Sequence, residues 1–456
     1  MALENEKNCS RTIRITNAVV NEYTEIFFSA HGVAGWNSHN VRIGSMLYYS
    51  YMPLADKLIP TPSETAAPQP RLFRLTTAED TAALEALIDA NSPRIIDTYD
   101  TQLKEYFVLQ NPPLHLNPLE RDKQFANYRG QHYGAEQPHT AGVWAYLPWR
   151  NTLLHLLDDA QYHEVRTARN RNLIPAEEQR IFYRSTIALG GLSVGNSIAL
   201  AIVLTGGGKR FRLADPDTLE LTNLNRIRAG ITDLTEPKVY MTARQLYELD
   251  PYAELTLYPE GITEENIEAF CAGADIIIDE IDNLRIKILL RDQAKQHKIP
   301  VVMATDNGDS GLLDIERHDQ EDVPYFHGRI NQQDIDEMLS GKLPLPLIGK
   351  KIGEKLVGFS ITEPRMQQSL LEIGKSIPTW PQLGGAALLN GVAVAAAVRK
   401  ILTSQPVVSD RAILSLSSWL IPGYDEPEQA GKRSEETQKF IAAYNAAIDA
   451  FLQQKQ

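Results

Sequence analysis

The stretch T-I-A-L-G-G-L-S-V-G at residues 186–195, continued by F-R-L-A-D-P-D at residues 211–217, decides the fold. A short apolar run enters a glycine turn, an apolar helical run leaves it, and a second strand-like run ends on an acidic residue. The same alternation recurs downstream in L-T-L-Y, I-I-I-D and V-V-M-A, separated by amphipathic stretches at residues 239–249 and 284–297. Short strands alternating with helices predict an α/β, Rossmann-like, mostly parallel sheet covered by helices on both faces. Ligands of such sheets bind at the carboxyl ends of the strands, where the polar clusters of this sequence fall.

Outward from that core, residues 1–150 read as an N-terminal α+β domain of unknown role. A proline-rich break spans residues 61–70 and a loop-like tract spans residues 111–138. Between them Thr77 is placed to cap a helix carrying Leu84, Leu87 and Ile88, and Leu103, Tyr106 and Phe107 repeat the helical spacing. Trp144, Tyr146 and Trp149 are read as core or interface. Residues 151–424 form the nucleotide-binding domain, with a loop-rich excursion at residues 320–376 and an apolar helix from residue 384 to 402. Residues 425–456 form a helical tail built on Phe440, Ile441, Tyr444, Ala447 and Phe451.

The 456 residues exceed what one core usually fills, and 43% hydrophobic with 23% charged residues is an ordinary globular composition. The net charge of −13 disfavours non-specific binding to nucleic acid or anionic lipid. Two cysteines, Cys9 and Cys271, supply neither a disulfide framework nor a zinc pair. The first residues lack a signal pattern, and the apolar stretch at residues 386–398 is too short to span a bilayer, so a cytoplasmic protein is expected.

The glycine turn, with Gly190, Gly191 and Gly195, brings backbone amides to a helix start where a phosphate can bind. Asp215 is placed to accept from ribose hydroxyls, which NAD and ATP share. Asn223, Arg226 and Lys238 then supply more positive and amide character than hydride transfer uses, and suit a triphosphate attacked at its α-phosphorus. Asp282, past the I-I-I-D strand ending at Asp279, can hold Mg²⁺ or cap the next helix. Asp306 and Asp309, in T-D-N-G-D-S-G, are substrate-side candidates to orient or deprotonate a nucleophile, with a plain turn as the alternative. His318, Asp322 and His327 match no strong metal pattern.

Taken in order, the glycine turn, L-A-D-P-D, N-x-x-R, E-P-K and D-N resemble the ThiF and MoeB group, the adenylating domain shared with ubiquitin-activating enzymes. The resemblance covers roughly residues 162–315. It implies that Asp215 holds the ribose, Asn223, Arg226 and Lys238 the phosphates, and Asp282 the magnesium. R-T-A-R-N at residues 166–170, followed by E-E-Q, is similar to the family's leading helix, implying a homodimer in which Arg169 reaches the partner's ATP site. Leu192 stands where the family's middle glycine would be, no cysteine follows Cys271, and the zinc cysteines are absent. Cys271 is read as core.

These features predict a Mg·ATP-dependent adenylyltransferase that activates a carboxylate, or another oxygen nucleophile, of a small-molecule, peptide or protein acceptor, without a cysteine thioester step. The alternatives are a nucleotide-binding regulator or scaffold without catalysis, and an NAD- or FAD-dependent oxidoreductase.

Overall fold

The computed structural model describes residues 68–453; Cys9 and residues 61–67 of the proline-rich break lie outside them. Eleven strands are present among the described residues. β1 (Arg71–Phe73), β2 (Arg94–Asp97), β3 (Val143–Leu147) and β4 (Thr152–Leu156) form a four-stranded sheet in the order β1-β3-β4-β2. β5 (Thr186–Gly190), β6 (Arg210–Ala214), β7 (Glu254–Tyr258), β8 (Ile276–Asp279), β9 (Val301–Asn307), β10 (Ser310–Glu316) and β11 (Arg411–Leu414) form a seven-stranded sheet in the order β11-β10-β9-β8-β5-β6-β7. β7, β6, β5, β8 and β9 run parallel, and β10 and β11 add on antiparallel. The fold is the mostly parallel α/β sheet expected from the apolar runs.

Strand order reverses at β5. The chain passes from β5 through β6 to β7 on one side, then returns to β8 and β9 on the other. The crevice between β5 and β8 is therefore the switch point at which such sheets bind ligands. The helices around it are α1 (Val194–Leu204), α2 (Lys238–Leu249), α3 (Leu284–His297) and α4 (Gly384–Leu402). α4 is long and apolar enough to cross a membrane by length and composition, but half of its apolar window is buried here. Its buried side chains Ala387, Val394 and Val398 share one core cluster with Ile198 and Ile202 of α1 and with Val302 and Leu313 of the sheet.

The N-terminal helices start as read: Thr77 Oγ1 accepts from the Asp80 N–H at 3.1 Å and opens the helix Ala78–Asn91. Trp144 and Tyr146 are buried, and Trp149 donates to Glu248 of α2 at 2.7 Å. Four expectations need correction. The tract at 111–138 contains a helix, Pro118–Tyr133, capped by Asn117 and buried only at Phe125, so it has no apolar stripe to detect. The excursion at 320–376 is helical at Gln332–Leu339, Leu345–Lys351 and Pro364–Leu370. These helices of one or two turns are too short to show a period; Phe326, Ile335, Met338 and Leu356 pack the first two on Ile288 and Met303, and Met366 and Leu370 pack the third on Phe359 and Phe440. The tail helix, Pro427–Gln453, buries Phe440 and Ile448, and Ala447 is exposed. β9 continues through Asn307, so Asp306 sits on a strand and Asp309 in the hairpin turn that follows.

A fully buried guanidinium ties the sheet to these additions. Arg291 on α3 donates from Nη1 to Asp279 Oδ2 and from Nε to Glu316 Oε2, both at 2.7 Å. Lys287 adds a bond to Asp279 Oδ1 at 3.0 Å. The Arg291 guanidinium stacks 3.8 Å from the centroid of Phe326, whose N–H donates to Glu316 Oε1 at 2.9 Å. Two cations thus offset two carboxylates in the interior. Removing one member of a buried ion network leaves uncompensated charge and costs about 3–5 kcal/mol. Arg291→Ala is expected to lose stability of that order in urea unfolding; a loss below about 1 kcal/mol would show that water replaces the guanidinium.

Candidate functional site

A cleft of 960 Å³ opens at the switch point. Ser193 and Val194 at the start of α1 line it, with Asp217 and Thr218 after β6, Asp279–Asp282 after β8, and Met303–Asp306 at the end of β9. Ile377–Gln382 forms the remaining wall. Of the residues read from the sequence, Asn223, Arg226, Lys238, Asp282 and Asp306 line this cleft together.

The glycine turn leads into the cleft at Ser193, the first of its residues to line the wall. Gly190 ends β5 and Gly195 lies in the first turn of α1. Gly191 has φ +87°, and a Cβ there would sit 2.1 Å from the Glu280 carbonyl oxygen, so the position excludes side chains on both grounds. The Gly191 N–H donates to Ala214 O at 2.8 Å and the Leu192 N–H to Asp215 Oδ2 at 2.6 Å. Both amides are spent on β6 and the residue after it. The free donors are those of the first turn of α1, whose Ser193 makes no side-chain cap.

Asp215 is 4% exposed and stands behind the turn rather than on the cleft wall. Burial, above all, raises its pKa, with Lys238 opposing. Its Oδ1 accepts from the Asp217 N–H at 2.9 Å. Asn223 Oδ1 accepts from the Glu220 N–H at 3.0 Å, closing a short helical turn that presents Arg226. Arg226 donates from Nε to Ser193 Oγ at 3.0 Å and from Nη1 to Asn225 Oδ1 at 3.0 Å. No carboxylate pairs with it among the described residues. Burial lowers its pKa, and the fields of Asp306 and Asp282 oppose that. Lys238, buried at the first position of α2, holds the exposed Asp217 carboxylate at 2.8 Å.

On the opposite wall Asp282 is exposed and has no hydrogen-bond partner among the described residues. The cap of α3 is Asn283, whose Oδ1 accepts from the Ile286 N–H at 3.3 Å, so Asp282 does not cap the helix. Asp306 is buried and takes Asn390 Nδ2 at 2.7 Å and Gln382 Nε2 at 3.3 Å; burial raises its pKa. Glu280, passed over in the sequence, also lines the cleft. Its Oε1 accepts from the Ala304 N–H at 2.8 Å, and burial pushes its pKa well above the carboxylate range. The run I-I-I-D-E-I-D-N contained it, but neighbouring acids with strand and loop roles masked it. Gln382 and Asn390 were missed as well, because an amide in a loop and another in an apolar helix carry no local signal.

Two expected residues are elsewhere. Asp309 is exposed in the β9–β10 turn and does not line the cleft. Arg169 is exposed in the short turn Ala168–Asn170. Its neighbours line a depression with Arg210 and Glu254, the first residues of β6 and β7, at the opposite end of the sheet from the cleft. Among the described residues no group of three or more metal-type ligands occurs, and His327 Nε2 lies 2.8 Å from Ile315 O.

The sequence model of the ThiF family matches residues 167–320. The chain is 37% identical over 280 residues to an uncharacterized protein of Mycobacterium tuberculosis, covering 61% of this chain and 38% of that protein. It is 29% identical over 163 residues to the tRNA threonylcarbamoyladenosine dehydratase of Bacillus subtilis, covering 35% and 63%. With the sulfur carrier protein adenylyltransferase of Thermus thermophilus it shares 26% identity over 157 residues, covering 34% and 56%. The chain spans less than two thirds of the length of each of these relatives.

Cys271 ends the helix Ile267–Cys271 inside a core cluster with Ala188, Ile277 and Leu290. Burial pushes its thiol up to about 12. Thiolate, the reactive form, is then scarce until the pH nears that value. In a Cys9→Ser protein, Cys271 is expected to resist iodoacetamide at pH 8 and to react fully after unfolding in urea. Alkylation of the native protein within minutes would place the thiol in contact with solvent.

Proposed function

We propose that this chain, whose residues 167–320 form a ThiF family domain, transfers AMP from Mg·ATP to a carboxylate or other oxygen nucleophile of an acceptor and releases pyrophosphate. The observation that carries the reading is the unpaired Arg226 beside the open amides of α1, in one cleft with Lys238 and Asp282. Cationic and amide donors on one wall face the carboxylates of Asp282, Glu280 and Asp306 on the other, of which Asp282 alone has no hydrogen-bond partner among the described residues, and this would divide the cleft into a phosphate side and an acceptor side.

On the phosphate side Arg226 and the first-turn amides of α1 would hold the polyphosphate, and Lys238 would join them once released from Asp217. Asn223 would keep the Arg226 turn in place through its bond to Glu220. Asp215 shapes the glycine turn with two of its acceptor positions and retains others for a ribose hydroxyl. Asp282, without a hydrogen-bond partner among the described residues, suits Mg²⁺, a cation that takes one or two protein oxygens besides phosphate and water. Mg²⁺ would supply charge neutralisation on the phosphates. Asp306, held by Asn390 and Gln382, is placed to orient the acceptor nucleophile or take its proton. With fixed donors around the phosphates, catalysis would rest on positioning and electrostatics.

Arg169 is too far around the sheet to serve the cleft of its own subunit. We propose a homodimer in which it completes the partner's phosphate side. Cys271, buried in the core, takes no part, so activation would proceed without a thioester.

A ligand at 100 times its dissociation constant adds about 2.7 kcal/mol of stability, readable as a rise in Tm. Mg·ATP is expected to raise Tm for the wild type and to do so far less for Asp282→Ala. A rise with NAD or FAD alone would overturn the reading in favour of an oxidoreductase. Losing a charge-assisted hydrogen bond costs roughly 1.5–3 kcal/mol, so Arg226→Ala is expected to weaken Mg·ATP binding by about 10-fold to 100-fold; a change within threefold would remove Arg226 from the phosphate side. Arg169→Ala should weaken binding as well. Co-refolding it with Arg226→Ala should restore some tight sites, because a mixed dimer holds one intact cleft. No recovery would place Arg169 outside the partner's site.

A further inference from the structure

The surface around β11 exposes a group of large apolar side chains beside a cavity. The helix Leu416–Leu420 buries none of its five residues, although two are leucines and one is a tryptophan. Trp419 is 65% and Leu420 74% exposed, and Ile413 and Ile421 beside them are more than half exposed. Single exposed apolar residues need no explanation, but four large ones within nine positions form a patch of the kind that marks a contact surface.

Next to this patch is a cavity of 350 Å³, lined by Trp419, Ile413, Tyr424, Ser310, Arg433 and Glu363 among others. Glu363 accepts from three hydroxyls: Ser310 at 2.6 Å on Oε1, and Tyr424 at 3.2 Å and Ser417 at 3.3 Å on Oε2. These donors hydrate the carboxylate without compensating its charge. No cation lies within ion-pair distance of Glu363 among the described residues. The nearby Arg433 is occupied, stacking 3.7 Å from the Tyr424 ring centroid, donating to the Tyr424 carbonyl and lying 4.0 Å from Asp425.

We propose that this cavity receives a lysine or arginine side chain of a partner polypeptide, with Glu363 taking the charged head and Trp419 and Ile413 covering the aliphatic stem. Basic side chains combine a cationic tip with an apolar stem, and a tryptophan face attracts the cation in addition. Leu420 and Ile421, which follow Trp419 directly in the chain, are exposed as well, adding apolar positions beyond those a single small amine in the cavity would cover. That extent favours a polypeptide over a free amine. The cavity shares no lining residue with the cleft at the switch point, and the proposal does not depend on the adenylation reading.

The probe is the synthetic peptide acetyl-Val-Thr-Val-Arg-Val-Thr-Val-amide, with versions carrying norleucine or glutamate in place of arginine. Binding is followed by tryptophan fluorescence, with Trp419→Phe as the control for the origin of the signal, and by calorimetry. The arginine peptide should bind saturably. Replacing arginine with norleucine, or Glu363 with Gln, should weaken it by roughly tenfold or more, the usual scale for a hydrogen bond to a charged group. Thermal unfolding of Glu363→Gln checks that the fold persists. No saturable binding, or equal binding of the arginine and norleucine peptides, would overturn the proposal. Concentration-dependent self-association lost in Trp419→Asp would overturn it too, by assigning the patch to a second copy of the chain.

Discussion

The buried guanidinium of Arg291 is the constraint on which the architecture around the cleft depends. It joins the carboxyl end of β8 to β10 through Asp279 and Glu316, and it fixes the 320s segment through Phe326. With Lys287 on the second oxygen of Asp279, the cluster contains two cations and two anions. Such a neutral cluster tolerates burial because each charge is hydrogen-bonded as well as paired. Its consequence for the site is exclusion. Both cations nearest the end of β8 are consumed by Asp279, so Glu280 is left with a backbone N–H and a pKa driven upward by burial. The positive charge in the cleft comes from the β5 and β6 side.

That asymmetry explains how the glycine turn can depart from the usual pattern and keep its shape. Gly191 is required because the backbone of Glu280 passes over it, and its conformation is left-handed. Leu192, by contrast, is fully buried and belongs to the central core cluster. A side chain at that position points away from the cleft, while its N–H is held by Asp215. The substitution therefore changes the packing under the turn and not the wall above it. Binding donors are supplied one step later, by the open end of α1 and by Arg226 resting on Ser193.

The parallel strands and α2, α3 and α4 were legible because each repeats an apolar period over enough residues to outweigh local noise. The helix from residue 284 to 297 and the helix from 384 to 402 have the limits that their sequences predict. Cleft residues were legible where they follow a strand before the next regular element is complete: Asp282 comes directly after β8, and Arg226 and Lys238 lie between β6 and the body of α2. The excursion was not, because helices of seven or eight residues carry two or three apolar positions each and acquire their packing from distant residues such as Ile288 and Met303. Asp309 falls in the turn that the sequence left open as its alternative, and its separation from Asp306 was hidden for a related reason. Whether a strand ends at Ala304 or at Asn307 is set by pairing with β10, and that pairing lies downstream in the sequence.

Asn390 shows how far such long-range contacts reach into the site. It sits fully buried in an alanine- and valine-rich helix, where an apolar residue would avoid the cost of burying an amide. Its Nδ2 holds Asp306, and its Oδ1 lies where a Cβ on Gly311 would come within 1.9 Å, so β10 must carry glycine for the amide to fit. That Oδ1 has no hydrogen-bond partner among the described residues. The core thus accepts an unsatisfied acceptor and a glycine in a strand interior, both unfavourable on stability grounds. The return is a carboxylate fixed at the rim of the cleft by a helix that never enters it. The orientation of Asp306 is consequently a property of the packing between α4 and β10, which is why an amide in an otherwise apolar helix belongs to the site.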